Sequence, residues 1–264
     1  MRPPPDSGNT AAVRSATLVV PCFNEEKRID APRFLDLGGQ PGVTLLFVDD
    51  GSTDGTSAIL ARLAEESNGR IQRIALDRNR GKAEAVRRGM LAALDRGAKN
   101  VGYTDSDLAT PPPELLRLVD ALESTGAEAV LGSRVGLAGT RIERKLWRHM
   151  VGRVFATVAG AILHARFYDT QCGAKVFRAT PLLRAALDEP FHSRWAFDVE
   201  LIGRLLSGAG GVAPILEKDF VEVPLQEWVD VGGSKLKFTS MARVTLDLAV
   251  IAAELEKRRQ GSKT

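Results

Sequence analysis

A chain of 264 residues, 44% hydrophobic and 26% charged, has the balance of a soluble globular protein, with interior enough for one large α/β domain or two small ones. Its formal net charge of +3 is too small for a nucleic-acid-binding tail and suits polyanionic small substrates such as nucleotides, or an anionic membrane surface. Two cysteines, Cys22 and Cys172, far apart and without CxxC spacing, argue against a zinc site and for a reducing, cytoplasmic compartment.

Residues 1–15 (MRPPPDSGNTAAVRS) hold no apolar run of signal-peptide length and read as a disordered lead-in. Strands are then expected at 16–21 (ATLVVP), 43–50 (VTLLFVDD), 71–76 (IQRIAL), 100–105 (NVGYTD) and 127–133 (AEAVLGS). Helical patterns fill 53–67, 82–97 and 112–125 between them. Thr110 reads as the N-cap of the last helix, with Pro111 at its first position and Glu114 nearby. This alternation predicts a mostly parallel sheet covered by helices on both faces.

Beyond residue 140 the pattern is less regular. A long helix is expected over about 141–165, then the turn-rich YDTQCGAKVF, a helix near 195–207, a strand near 215–223 and a terminal helix over about 236–259. The longest uncharged apolar stretch, VFATVAGAIL (154–163), rises roughly 15 Å as a helix, about half of a bilayer core, and does not span a membrane. The terminal helix sets Lys235, Lys237, Arg243, Lys257, Arg258 and Arg259 among Leu236, Phe238 and Leu246. Such a helix either packs on the core or lies on an anionic surface, so a peripheral contact at the inner face of a membrane fits it.

Ligands of open α/β sheets bind at the carboxyl ends of the strands. Four polar clusters are expected there: PCFNEE (21–26), DDGSTDGT (49–56), DRNRGKAEAVRRG (77–89) and DSD (105–107). Singly, DGS and DGT are common turns, a DxD is a solvated turn, and Arg87 with Arg88 solvates a helix face. Their convergence on one sheet edge is what argues for a site. On an extended backbone residues i and i+2 point the same way, so Asp105 and Asp107 would face one spot and share a cation.

VVPCFNEE, FVDDGSTDGT, NRGKAEAVRRGM and DSDLATPPPEL, in this order, resemble the motifs of the GT-A nucleotide-sugar glycosyltransferases of family 2. Downstream, GSR (132–134), DTQCGAKVF (169–177), RWAFDVEL (194–201) and GGSKL (232–236) are similar to the dolichyl-phosphate β-glucosyltransferase and polyprenyl-phosphate glycosyltransferase branch. The resemblance covers roughly residues 16–250 and implies one GT-A, Rossmann-like domain. Residues 16–133 would bind the nucleotide sugar and 134–250 would form the acceptor side, with 251–264 as helix end and tail. The implied reaction is an inverting, metal-dependent transfer of a hexose, glucose, from a UDP-sugar to a polyprenyl- or dolichyl-phosphate acceptor.

The resemblance also implies roles. Pro21, Asn24 and Glu25 border the nucleotide, and Asp49 or Asp50 meets the uracil. Gly81 and Lys82 close over base and phosphates, with Ser106 among the donor-binding residues. Asp105 and Asp107 hold Mg²⁺ or Mn²⁺ against the diphosphate, as a hard cation takes one or two carboxylates and leaves places for phosphate oxygens. Arg134 and Arg148 match arginines that hold an acceptor phosphate, unless RIERKLWRHMVGR is a plain basic helix face. Asp198 stands where hydroxyl-using members keep a base, although an N-cap or a buried ion pair would read alike. Asp169 and Gln171 line the sugar subsite, or form a polar hairpin turn, and Trp195 edges the pocket.

Ala83 and Glu84 depart from the family pattern, where close relatives carry glycines, and the membrane anchor of eukaryotic members has no counterpart in residues 1–15. Two alternatives stay open: a soluble or cell-wall hydroxyl acceptor with Asp198 as base, and a non-catalytic nucleotide-sugar-binding protein. A dinucleotide oxidoreductase lacks its GxGxxG, since PCFNEE follows the first strand.

Overall fold

β1 (Ala16–Cys22) and β2 (Val43–Asp49) are buried over nearly their whole length. Such near-continuous apolar runs belong at the centre of a parallel sheet. β1 pairs in parallel with β2 and with β4 (Asn100–Tyr103), and β2 with β3 (Ile71–Ala75). The connections are α1 (Ala31–Gly39), α2 (Thr56–Glu66) and α3 (Lys82–Asp95), and α4 (Pro112–Thr125) leads to β5 (Ala129–Ser133). There follow β6 (Arg141–Glu143), α5 (Leu146–Leu163), β7 (Lys175–Arg178), α6 (Pro181–Asp188) and α7 (Phe197–Ser207). β8 (Phe220–Pro224), β9 (Glu227–Val229) and α8 (Met241–Gly261) complete the chain. This computed structural model describes residues 14–143, 146–231 and 241–261, without the side chains of 146–149, 151, 241–244 and 261. Residues 1–13 of the expected lead-in, the GGSKL motif and residues 235–238 of the terminal helix lie outside the described residues, as does the Arg243 side chain. Arg14, expected within the lead-in, is held by a two-pronged pair with Asp120 at 2.6 and 2.7 Å.

The main sheet has seven strands in the order β3-β2-β1-β4-β7-β5-β8, with β7 antiparallel to both its neighbours and β8 parallel to β5. It is the mostly parallel, helix-flanked α/β sheet that the alternation predicts. Side chains alternate across it. Val19, Leu46 and Val48 pack with Met90 and Phe197 on one face, while Leu18, Val20 and Phe47 pack with Phe34, Leu60 and Leu118 on the other. The chain builds outward from β1 to β3, then returns to set β4 on β1's other side. That reversal is where open α/β sheets take their ligands.

Three expectations are corrected. β4 ends at Tyr103, so Asp105 and Asp107 stand on the turn after the strand, not on extended backbone. Thr110 does not cap α4: Pro111 occupies the N-cap position without a side-chain bond. A capping hydroxyl would need the N–H of the second or third helical residue; Pro113 has none, and Glu114 N–H already bonds Pro111 O at 3.0 Å. Residues 141–143 are not helical but form β6, paired in parallel with β9 as a separate two-stranded sheet.

Candidate functional site

The turns after β1 and β2 are stitched together. Asn24, at a left-handed φ of 52°, accepts Thr53 N–H on Oδ1 at 2.8 Å and donates its own N–H to Ser52 Oγ at 3.1 Å. Glu25 N–H donates to Thr56 Oγ1 at 2.8 Å. Asp49 accepts Ser52 N–H on Oδ1 at 2.9 Å. Asp50 uses both oxygens on the next loop, taking Arg80 N–H at 2.8 Å and Gly81 N–H at 2.7 Å. Burial pushes the Asp50 carboxyl pKa up, against the pull of those two N–H groups.

Gly81 precedes α3 at φ 96°, and a Cβ there would lie 3.0 Å from Arg194 Cδ. Only glycine holds this conformation easily. Lys82 opens α3 and sets its ammonium 2.5 Å from Asp105 Oδ1. Burial works against the Lys82 charge, yet Asp105, Asp198 and Asp107 together hold its pKa above the usual value.

Asp107 bonds the Arg28 guanidinium at 2.6 Å and accepts Ala109 N–H at 3.1 Å. Burial first, and the Asp105 carboxylate second, push its pKa up. Ser106 is buried between the two acids. The backbone at Gly173 crowds this turn so closely that a Cβ would come within 2.0 Å of Asp105 Oδ2. Two neighbouring carboxylates, one of them raised by burial and by the other's charge, suit a hard divalent cation. Among the described residues no three His, Cys, Asp or Glu side chains converge, so such an ion would complete its oxygen shell from phosphate and water.

Asp198, in the first turn of α7, is 5% exposed. Its Oδ1 accepts from Lys175 Nζ at 2.5 Å and from the Tyr103 hydroxyl. Of the readings weighed for Asp198, membership in a buried ion pair is therefore present. Tyr103 keeps its proton, since burial and then the Asp198 charge raise its pKa well above the ordinary value.

Arg134 and Asp169 come together as a buried fork: Nε to Oδ2 at 2.6 Å, Nη2 to Oδ1 at 2.8 Å, and Arg134 N–H to Oδ2 at 3.1 Å. Burial opposes the Asp169 charge, yet Arg134 holds this carboxyl well below the usual range. Gln171 N–H bonds Asp169 Oδ1 at 3.1 Å, as a polar turn would. Pro21 lies in β1, and Trp195 is 38% exposed on the bend that leads into α7. Arg148 falls on α5, with its side chain outside the described residues.

Sequence reasoning passed over Arg28, Tyr103, Lys175 and Arg194, all of which touch or face these groups. Lys175 had a signal, an ammonium inside the apolar run GAKVF; Arg28, in an ordinary polar turn, had none.

A family model described as glycosyl transferase family 2 matches residues 17–187, more than half of the chain. Similar curated proteins include dolichyl-phosphate beta-glucosyltransferase of Drosophila melanogaster, 32% identical over 254 residues, covering 89% of this chain and 73% of that protein. The Homo sapiens protein of the same name is 30% identical over 263 residues, covering 90% and 75%. Polyprenol monophosphomannose synthase of Mycolicibacterium smegmatis is 27% identical over 221 residues, covering 83% and 80%. Among solved structures, glucosyl-3-phosphoglycerate synthase from Mycobacterium tuberculosis, in complex with Mn²⁺, UDP-glucose and phosphoglyceric acid, gives a TM-score of 0.65 at 21% identity. It covers 91% of this chain and 80% of that one, a likeness of fold. The ordered motifs, the sheet and the family match agree: the chain belongs to glycosyl transferase family 2 and is a nucleotide-sugar-dependent glycosyltransferase.

Proposed function

We propose that this enzyme transfers glucose from UDP-glucose to a polyprenyl- or dolichyl-phosphate-type acceptor, with inversion, using Mg²⁺ or Mn²⁺ held by Asp105 and Asp107. The names of the curated relatives support the lipid phosphate, and the UDP-glucose and Mn²⁺ of the similar crystal structure support donor and ion.

In this reading Pro21, Asn24 and Glu25 border the nucleotide. Asp49 meets the base, because both oxygens of Asp50 already hold the 80–81 backbone. Gly81, Lys82 and the first N–H groups of α3 lie along the diphosphate, where a helix N-terminus and an ammonium favour anionic oxygen. The bound ion supplies neutralisation of charge on the departing diphosphate. An acceptor phosphate oxygen attacks the anomeric carbon from the face opposite UDP. The new C–O bond forms as the bond to the diphosphate oxygen breaks, and that electron pair leaves with UDP. Arg134, whose Nε and Nη2 serve Asp169, offers Nη1 to the acceptor phosphate together with Arg148. Asp169, Gln171 and Trp195 border the sugar.

The observation that carries a phosphate over a hydroxyl acceptor is the state of Asp198. A hydroxyl nucleophile needs a base for its proton, and Asp198 is instead the counter-ion of buried Lys175, with Tyr103 on the same oxygen. A phosphate is already ionised, so Asp198 serves through its charge alone. Exposed apolar side chains on α5 (Met150, Val154, Val158) and α8 (Leu246, Val250) suit a peripheral membrane contact. Among the described residues no helix is long and apolar enough to cross a membrane.

The test is UDP release by purified protein from UDP-glucose and Mn²⁺, with a short polyprenyl phosphate in one arm and hydroxyl sugars in the other. Glucosylation in the polyprenyl phosphate arm alone is expected. Transfer to hydroxyl sugars alone would replace this reading with the hydroxyl one.

A further inference from the structure

Within QCGAK (171–175), where the family resemblance assigns a role to Gln171 alone, one further residue carries a charge into the middle of the sheet. Lys175 is fully buried on β7, between β4 and β5. Its Nζ donates to Asp198 Oδ1 and to the Cys172 carbonyl, both at 2.5 Å, and lies 5.4 Å from the Tyr103 ring centroid. Tyr103, on the neighbouring strand, donates to the same Asp198 oxygen. The same five-residue segment holds Gly173, whose missing side chain gives Asp105 its room. A single turn of chain thus sets both Asp105 and Asp198. Lys82 lies between these two acids in charge: it bonds Asp105, and the Asp198 anion reinforces its ammonium.

Stability is a poor reason for such a lysine. Burying an ammonium–carboxylate pair is costly, and an apolar pair of similar volume commonly serves a fold as well or better. A fixed carboxylate is a better reason, because small misplacements of a group beside a reacting centre cost about a hundredfold in rate.

We propose that Lys175 is a positioning residue of the transfer reaction: with the Cys172 carbonyl and the Tyr103 hydroxyl it clamps Oδ1 of Asp198 and fixes where that carboxylate presents its charge. This rests on the reading of Asp198 as a group beside the transferred sugar.

Steady-state kinetics with UDP-glucose, Mn²⁺ and a short polyprenyl phosphate test it, on Asp198→Asn, Lys175→Met and the double variant. Lys175→Met is expected to lower kcat by about 10- to 100-fold while KM for UDP-glucose stays within about twofold. Added to Asp198→Asn it is expected to cost nothing more, whereas a lysine that merely holds the fold would multiply the two losses. Full kcat in Lys175→Met beside an impaired Asp198→Asn overturns the inference alone. Full kcat in Asp198→Asn overturns the reading of Asp198 and the inference with it. Lys175→Gln carries the same comparison should the methionine variant fail to fold. A crystal structure of the folded variant is a readout free of turnover: Asp198 in a changed rotamer supports the clamp, and an unmoved Asp198 contradicts it.

Discussion

Asp105 and Asp107 each rest against a cation of the chain, Lys82 and Arg28. In the proposed reading a divalent ion at this pair would add charge to an already neutralised turn, and the added attraction would come from the substrate diphosphate. Ion and nucleotide should bind together or weakly. Asp105→Asn is expected to lower kcat/KM by at least about a hundredfold, the several kcal/mol that a Lewis acid contributes, with Tm little changed; turnover and thermal unfolding check both. A second prediction concerns acid. Asp169 is held below its unfolded value near 3.9 by Arg134. Its contribution is thus fully present above about pH 4 and is lost as pH falls below it. Asp169→Asn should flatten the acid limb of the stability profile, and Arg134→Ala should cost about 3–5 kcal/mol by stranding a buried anion. Urea unfolding at several pH values reads both effects.

At this scale the acidic pair and the Asp50 loop were legible as turn formers and acids gathered after strands, whereas Asp198, in the first turn of α7, was singled out by the family resemblance alone. Partners were not legible. That Arg134 spends its fork on Asp169, and that Asp198 serves Lys175, depend on residues 35 and 23 positions apart meeting in space.

The elements of the first half other than α1 were readable because β1 and β2 are near-continuous apolar runs and α2, α3 and α4 follow a helical period. Antiparallel β7, four residues long and holding a lysine, imitates a loop. α1 was overlooked although Asp30 caps it, accepting Arg33 N–H at 3.2 Å, and a proline stands in its first turn. α6 has the same kind of start, with Thr180 Oγ1 accepting Leu183 N–H at 3.2 Å. α3 meets β1 at Gly89, where a Cβ would stand 2.3 Å from Val19 Cγ1 and 2.8 Å from Val48 Cγ2. Gly89→Ala should therefore destabilise by about 1–3 kcal/mol through overpacking. Gly39→Ala, with nothing within 4 Å, should be neutral. Paired thermal melts decide, and equal Tm values for the two would refute the packing argument.

Across the whole molecule, the reversal of strand order at β1 and β4 divides labour. Loops after β1 to β4 gather Glu25, Asp50, Asp105, Asp107 and Lys82, while β7, α7 and the 169–175 segment lie on the far side. The second half was the harder to read, since its short strands return to the sheet through contacts no local pattern announces. α5 and α8 both pack on α7, joined at one end by Arg259 to Ile162 O at 2.8 Å. Both leave apolar side chains outward, Val154 at 66% and Leu246 at 69% exposure. Val154→Asp with Leu246→Asp should weaken sedimentation with vesicles of anionic lipid while UDP-glucose binding holds; unchanged sedimentation would remove these helices from any membrane contact.

The coupling of ion to nucleotide is the most direct measure of the account. Calorimetric titration of UDP-glucose into the protein, with and without Mn²⁺ and repeated on Asp105→Asn with Asp107→Asn, should show tight binding only in the native protein with the ion present. Equal affinity in all four titrations would contradict it.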